Sequence, residues 1–232
     1  MNSSDTFTRF LNIFLPGEEF EPQREKIAAQ YDCTGPPWNG DWHACIGPVI
    51  RDIGFTCHTR DLYSAYPTVS HMIRYGFLNA ELAFHGVDLM ALFANNLQEV
   101  EKMLEEVGLD NQTQRDYYAR SLVNTNVSRA YQTYFASFAL SGGNPNTLDM
   151  PLVQNERPPE WPVAVDGEEL QNVLRVQAPY DQPGFLLESD DQNSQSACAF
   201  WTEIAREIME VQDAAIPVKE GEVEEMRIPI EL

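Results

Sequence analysis

Positive charge is scarce in this chain. Fifteen Lys and Arg stand against 36 Asp and Glu in 232 residues, a formal net charge of −21 at pH 7. An acidic surface repels phosphate backbones and anionic headgroups, which argues against nucleic acid and anionic membrane as partners. Long apolar runs are also lacking: none reaches the roughly 18 residues that a membrane helix requires. The first residues, Met1-Asn2-Ser3-Ser4-Asp5-Thr6-Phe7, have neither a basic start nor an apolar stretch, so they do not read as a secretion leader. They read as a helix cap at Ser4, and a chain opening on a helix cap looks cut from something longer. Cysteine is limited to Cys33, Cys45, Cys57 and Cys198, with no Cys-x-x-Cys pair. By residue type His43, His58, Cys33 and Cys45 resemble zinc ligands. Eleven residues between the cysteines and a His-x-Cys step make no usual ligand frame, so no metal is expected.

What is present suffices for a packed domain. Apolar residues make up 43% of the chain, with 12 Phe, 9 Tyr and 4 Trp, which is not the composition of a disordered polypeptide. There is no internal repeat and no low-complexity tract. Residues 4 to 15 read as an amphipathic helix, with Phe7, Phe10, Leu11 and Phe14 on one side, stopped at Pro16-Gly17. A second helix runs from Pro22 to Tyr31. Cys33 and Cys45 then bracket a turn-rich loop that a local disulfide would close. Pro48 to about Tyr66 reads as one longer helix with Val49, Ile53, Cys57 and Leu62 on one side, ended by Pro67.

His71 to Phe77 is the first strand candidate. Helices are expected from Asp88 to Asn95, with Asp88 as cap, and from Leu97 to Val107, with Gly108 past its end. Gln114 to Leu140 is the longest helical pattern, stopped by Ser141-Gly142-Gly143. A proline-rich loop follows. Asn172 to Gln177 and Gly184 to Glu188 read as strands, Ser194 to Val211 as an amphipathic helix with Phe200, Ile204 and Ile208, and the segment from Pro217 as an acidic tail. Asn-x-Ser/Thr sequons stand at Asn2, Asn111 and Asn126.

Four segments carry a more specific signal. Arg74-Tyr75-Gly76-Phe77 leads to His85-Gly86-Val87-Asp88 and the apolar run Leu89 to Phe93. Upstream lies Asp52-Ile53-Gly54-Phe55-Thr56-Cys57. Downstream lie Tyr134-Phe135-Ala136-Ser137-Phe138-Ala139 with Gly143-Asn144-Pro145-Asn146 and Trp161-Pro162, then Cys198-Ala199-Phe200-Trp201. In this order they resemble the C-terminal portion of the type-B carboxylesterases, the esterase, lipase and cholinesterase branch of the α/β-hydrolases. The resemblance covers about residues 5 to 212.

The resemblance implies an α/β fold: the C-terminal part of an α/β-hydrolase, mostly helical, with a few edge strands of the central sheet. Residues 1–232 would form that portion, with 213–232 as an acidic tail. It implies hydrolysis of carboxylic esters through an acyl-serine, without a cofactor, on a small ester or lipid substrate. His85 would be the general base and acid, because imidazole titrates near neutrality and can take and return the serine proton. The family places its nucleophile on a Gly-x-Ser-x-Gly elbow, and no such pentapeptide occurs in these 232 residues. Serine, acid and histidine follow one another in that order along α/β-hydrolase chains, so only the last triad member is expected here. Asp88, three residues after His85, reads as a helix cap and not as the missing acid. The chain alone is therefore expected to be inactive, and whether it is an enzyme by itself is left open. The alternative is a non-catalytic binding or adhesion module on the same scaffold. The resemblance also implies a disulfide between Cys57 and Cys198, leaving Cys33 to pair with Cys45, and a secreted protein.

Overall fold

A computed structural model describes residues 3–76, 86–93, 96–106, 108–122, 126–177 and 184–215. The chain divides into two compact units, Met1–Thr59 with Ser196–Leu232, and Arg60–Gln195. Among the described residues helix predominates, beside one three-stranded mixed sheet.

The first unit is helical. α1 (Ser4–Phe14) is capped by Ser3, one residue before the Ser4 expected from sequence, and the Ser3 amide donates to Thr6 Oγ1 at 3.4 Å. α2 (Glu21–Gln30) carries Pro22 in its first turn, where a missing N–H costs nothing. The Arg24 guanidinium donates to the carbonyls of Leu15 and Gly17 at 2.7 and 2.6 Å, closing the turn between these helices. α3 (Trp42–Arg51) begins six residues before the expected Pro48, because Asp41 caps it by accepting from the Ala44 amide at 3.2 Å. Pro48 is inside the helix. Five residues of π-helix, Asp52–Thr56, lead into α4 (Cys57–Ala65).

That π turn corrects the expected helix face. Buried side chains fall at Cys45, Val49, Asp52, Cys57, Arg60 and Tyr63, so the step across the wide turn is five residues instead of three or four. Leu62, placed inward from sequence, is 67% exposed. α9 (Gln195–Ala215) supplies Cys198, Trp201 and Ile204 to the same core as Phe7, Leu11, Phe20, Ile27 and Val49. The disulfides Cys33–Cys45 and Cys57–Cys198 both lie in this unit.

The second unit is built on the sheet, in the order β1 (Ile73–Gly76), β2 (Glu169–Gln177), β3 (Phe185–Ser194). β1 runs parallel to β2, and β2 antiparallel to β3. Ile73 sits opposite Leu174 and Tyr75 opposite Val176, so one face of the sheet enters the main core with Phe185, Tyr131 and Tyr134. β2 and β3 exceed their expected limits. The part of β3 beyond the expected Glu188, Ser189 to Ser194, holds Asp190 and Asp191 and is depleted in strand formers. It is held from outside the strand: Arg74 reaches Asp191 at 2.7 Å, and just before it Arg175 reaches Glu188 at 3.1 Å. Register shifts near Leu170 to Val173, with Asn172 at φ +62°, bend the pair.

Around the sheet lie α5 (Val87–Phe93), α6 (Leu97–Glu106), α7 (Gln112–Leu122) and α8 (Asn126–Ser141). The single helix expected over Gln114 to Leu140 is therefore two. The Ser128 hydroxyl donates to the Leu122 carbonyl at 2.9 Å, satisfying a terminal acceptor of α7 from inside α8. Gly108 and Gly143 end α6 and α8 as expected: Leu109 N–H reaches Leu104 O, and Gly143 N–H reaches Phe138 O, each at 2.9 Å. The expected acidic tail from Pro217 lies outside the described residues.

Candidate active site

The segment of residues 77–85, which includes Phe77 at the end of the expected strand and Phe84 and His85 of the expected histidine loop, lies outside the described residues. Its two anchors are described. At the far end, Gly86 has φ +89°, a left-handed conformation that a side chain would strain, while the space a Cβ would fill is open. Glycine is needed here for its backbone. The Met90 amide donates to the Gly86 carbonyl at 3.1 Å, so helix α5 starts from Gly86. Asp88 is thus in the first turn of the helix and not ahead of it, a correction to its expected capping position. A carboxylate there still faces the positive end of the helix dipole.

At the near end, β1 sends Tyr75 into the core, with its ring centroid 5.4 Å from that of Tyr131. Burial holds both phenols well above their ordinary range. Tyr131 adds to the effect on Tyr75, and the charge of Asp88 adds to both. These hydroxyls therefore stay protonated across the physiological range and serve neither as base nor as nucleophile. α8 also steadies α5 directly: Gln132 Nε2 donates to the Ala91 carbonyl at 2.9 Å.

The approach to β1 is clamped by the segments that sequence singled out. Asn146 holds both sides of one residue: its Oδ1 accepts from the Trp161 amide at 2.7 Å, and its Nδ2 donates to the Trp161 carbonyl at 2.9 Å. Trp161 Nε1 then donates to the Met72 carbonyl at 2.9 Å, one residue before the strand. Ser137, fully buried, accepts from the Thr147 and Leu148 amides at 2.7 and 3.2 Å, and the Tyr134 hydroxyl donates to the Pro159 carbonyl. His71 was expected to begin the strand. It instead packs edge-on against Phe138 and Trp161, with Nδ1 3.0 Å from both the Trp161 and Pro162 carbonyls. Two carbonyl acceptors at one ring nitrogen require that Nδ1 donates.

Two cavities flank these anchors. One of about 350 Å³ starts at Gly86 and is walled mainly by Leu89, Met90, Phe93 and Met103. Phe93 is 69% exposed and Leu89 51%, so apolar surface faces solvent next to the loop. The other, about 670 Å³, is lined by His71, Phe138, Asn146 and Trp161. All four cysteines are oxidised, which removes the thiolates from the zinc frame weighed above, and no cluster of three metal-ligating side chains occurs among the described residues. Among the sequons, Asn2 lies outside the described residues, while Asn111 and Asn126 are exposed.

Sequence reasoning missed His71, Tyr131 and Ser137 as parts of the frame around the site. The Tyr131-x-x-Tyr134-x-x-Ser137 spacing, a three-residue step along one side of the helix, was the available signal.

No family model matches the chain, and no solved structure matches it. Over 178 residues, 74% of its length, it is 29% identical to a secreted lipase of Arthroderma benhamiae, and it spans 28% of the length of that protein. The chain thus has a distant lipase-like relative, and no helix among its described residues is long and apolar enough to cross a membrane.

Proposed function

We propose that this chain is the histidine-bearing C-terminal portion of a secreted carboxylic ester hydrolase of the type-B carboxylesterase kind. The observation that carries the reading is the similarity to a secreted lipase over a stretch of sequence that includes a His-Gly loop set between a strand and an apolar helix. In this reading His85 takes the proton of a serine as it attacks the ester carbonyl and returns it to the departing alcohol. A carboxylate on the other ring nitrogen fixes the tautomer. Serine, carboxylate and oxyanion donors come from sequence upstream of these residues. Gly86, the residue after the histidine, starts α5 from a left-handed backbone, and the clamp on Trp161 fixes the start of β1, the strand that precedes residues 77–85. The apolar cavity at Gly86 suits the hydrocarbon part of an ester or lipid substrate. The two disulfides fit an oxidising, extracellular setting.

Two measurements test this. The purified chain should show no turnover of a short-chain aryl ester and no labelling by a fluorophosphonate. Turnover that disappears in His85→Ala would show that the chain holds its own nucleophile and would overturn the division of the triad. The transcript upstream of Met1 should encode Gly-x-Ser-x-Gly. In the protein so completed, His85→Ala should lower kcat/KM by about four orders of magnitude or more. A transcript without that pentapeptide would return the chain to the binding-module reading.

A further inference from the structure

We propose that Asn111 is the residue of this chain that carries an N-linked oligosaccharide, and that Asn126, although it also heads a sequon, is largely bypassed. Two sequons stand within the described residues, Asn111-Gln112-Thr113 and Asn126-Val127-Ser128, and both asparagines are exposed. The difference lies two residues on, at the hydroxyl that an acceptor sequon must present. Thr113 is exposed, as is every residue of the first sequon. Ser128 is only 2% exposed, and its hydroxyl is committed to the Leu122 carbonyl at 2.9 Å, holding the end of α7. Folding therefore withdraws the second sequon, while the first stays available before and after its region has folded.

The local chemistry at Asn111 also accommodates the sugar. Its Oδ1 caps α7 by accepting from the Gln114 amide at 3.1 Å. A glycan takes the other atom of the same amide. Nδ2 displaces the diphosphate from the anomeric carbon of a lipid-diphosphate-linked oligosaccharide. The carbon–oxygen bond to the diphosphate breaks, a carbon–nitrogen bond forms, Nδ2 gives up one proton to a base of the transferase, and the lipid diphosphate departs. Oδ1 remains an acceptor, so cap and sugar coexist. The turn beneath is independently fixed: Arg115, 8% exposed, donates to the Leu109 carbonyl at 2.7 Å and to Gln112 Oε1 at 2.8 Å. A bulky substituent on this turn finds a rigid platform and open solvent.

The inference rests on the reading of the chain as secreted, and the test separates the two. The full chain, with Asn2→Gln to remove the third sequon, is placed behind a cleavable leader and expressed in a eukaryotic host. Glycans are released enzymatically in heavy-oxygen water, and labelled aspartate is mapped by mass spectrometry. Asn111 should be occupied in most molecules and several-fold more than Asn126. Thr113→Ala, which leaves the Asn111 cap intact, should abolish the label at Asn111. An unlabelled Asn111, an occupancy at Asn126 equal to or above it, or a label that survives Thr113→Ala would overturn the proposal. Because the leader commits the chain to the secretory lumen, an empty Asn111 counts against the site. Whether the native product accumulates outside the cell tests the secretion reading separately.

Discussion

The two units of this chain solve the same problem with different bonds. The first has no strand among its described residues and holds every cysteine of the protein. Both disulfides have their cysteines there; they close loops of 12 and 141 residues, and the longer loop carries the whole sequence of the second unit. Its buried polar chain is short: Trp201 Nε1 donates to the Tyr31 hydroxyl, which donates to Asp52, each at 2.7 Å. The second unit has no cysteine at all and uses side chains as staples. Arg60, 6% exposed, donates to the carbonyls of Asn193 and Glu168 at 2.8 and 3.4 Å and to that of Gly167, and meets Asp166 at 2.9 Å. One guanidinium thus ties together the ends of β2 and β3, as Asn146 ties down Trp161. Function is proposed for the unit that lacks covalent staples. A site made from loops between a strand and a helix needs its ends fixed, and hydrogen-bonded clamps achieve that without a disulfide at the site.

Reduction should break the comparison most sharply. In the chain-entropy account, closing 141 residues stabilises by about 5 kcal/mol and closing 12 by about 3 kcal/mol. Replacing Cys57 and Cys198 by serine should therefore cost more than replacing Cys33 and Cys45, as read by urea unfolding. Hydrogen exchange adds location: amides of α1 and α9 should lose protection before those of β2 and β3. Equal losses in both units would mean that they unfold as one body, and the division of labour described above would fail.

Arg60 is the converse probe, with a smaller effect expected. Arg60→Met keeps an aliphatic stem but withdraws the guanidinium donor from the buried Asn193 carbonyl and the half-buried Gly167 carbonyl, a cost of about 3 kcal/mol. Protection should now fall first at the ends of β2 and β3. Asp166→Asn should change little, because the Asp166 side chain is 66% exposed and water screens the pair. If Asp166→Asn proved as damaging as Arg60→Met, the ion pair and not the carbonyl clamp would be what holds the strands.

The same contrast explains what could be read from sequence. Of the four segments that carried the resemblance, those around Cys57, Trp161 and Cys198 turn out to be scaffold: half-disulfides, a clamped indole, a tryptophan closing a polar chain. Such residues are legible because their chemistry is conspicuous. Helix limits marked by glycine, at Gly108 and Gly143, were legible for the same reason. What failed to show was phase and partnership. The π turn at Asp52–Thr56 adds one residue to a helical step, and no residue type announces it, so Leu62 was placed inward. The break between α7 and α8 depends on a serine reaching back to Leu122. The length of β3 depends on arginines from elsewhere: strand propensity ends near Glu188, whereas the strand continues to Ser194.

The smallest effects sharpen the comparison through pH, because each unit holds a carboxylate shifted in the opposite sense. In the first unit Glu207 is held below its ordinary range, mainly by the Lys26 ammonium and also by the Gln23 amide. In the second, burial pushes Asp190 up, against weaker opposition from the Gln192 amide and from Arg74, which is 3.8 Å away. The signs follow from linkage. A depressed folded-state pKa gives stability present above the unfolded value and lost as pH falls through the folded one. A raised folded-state pKa gives stability present below the unfolded value and lost as pH rises through the folded one. Glu207→Gln should therefore lower the melting temperature at neutral pH, with the deficit shrinking toward acid. Asp190→Asn should raise it at neutral pH, because the ionised group no longer has to be buried, and that gain should shrink toward acid as wild-type Asp190 takes up its proton. Melting curves from neutral pH down through the carboxylate range would show the two differences converging on zero from opposite sides. Should Asp190→Asn instead destabilise at neutral pH, the Arg74 contact outweighs burial there, and the acid-rich end of β3 is held by charge.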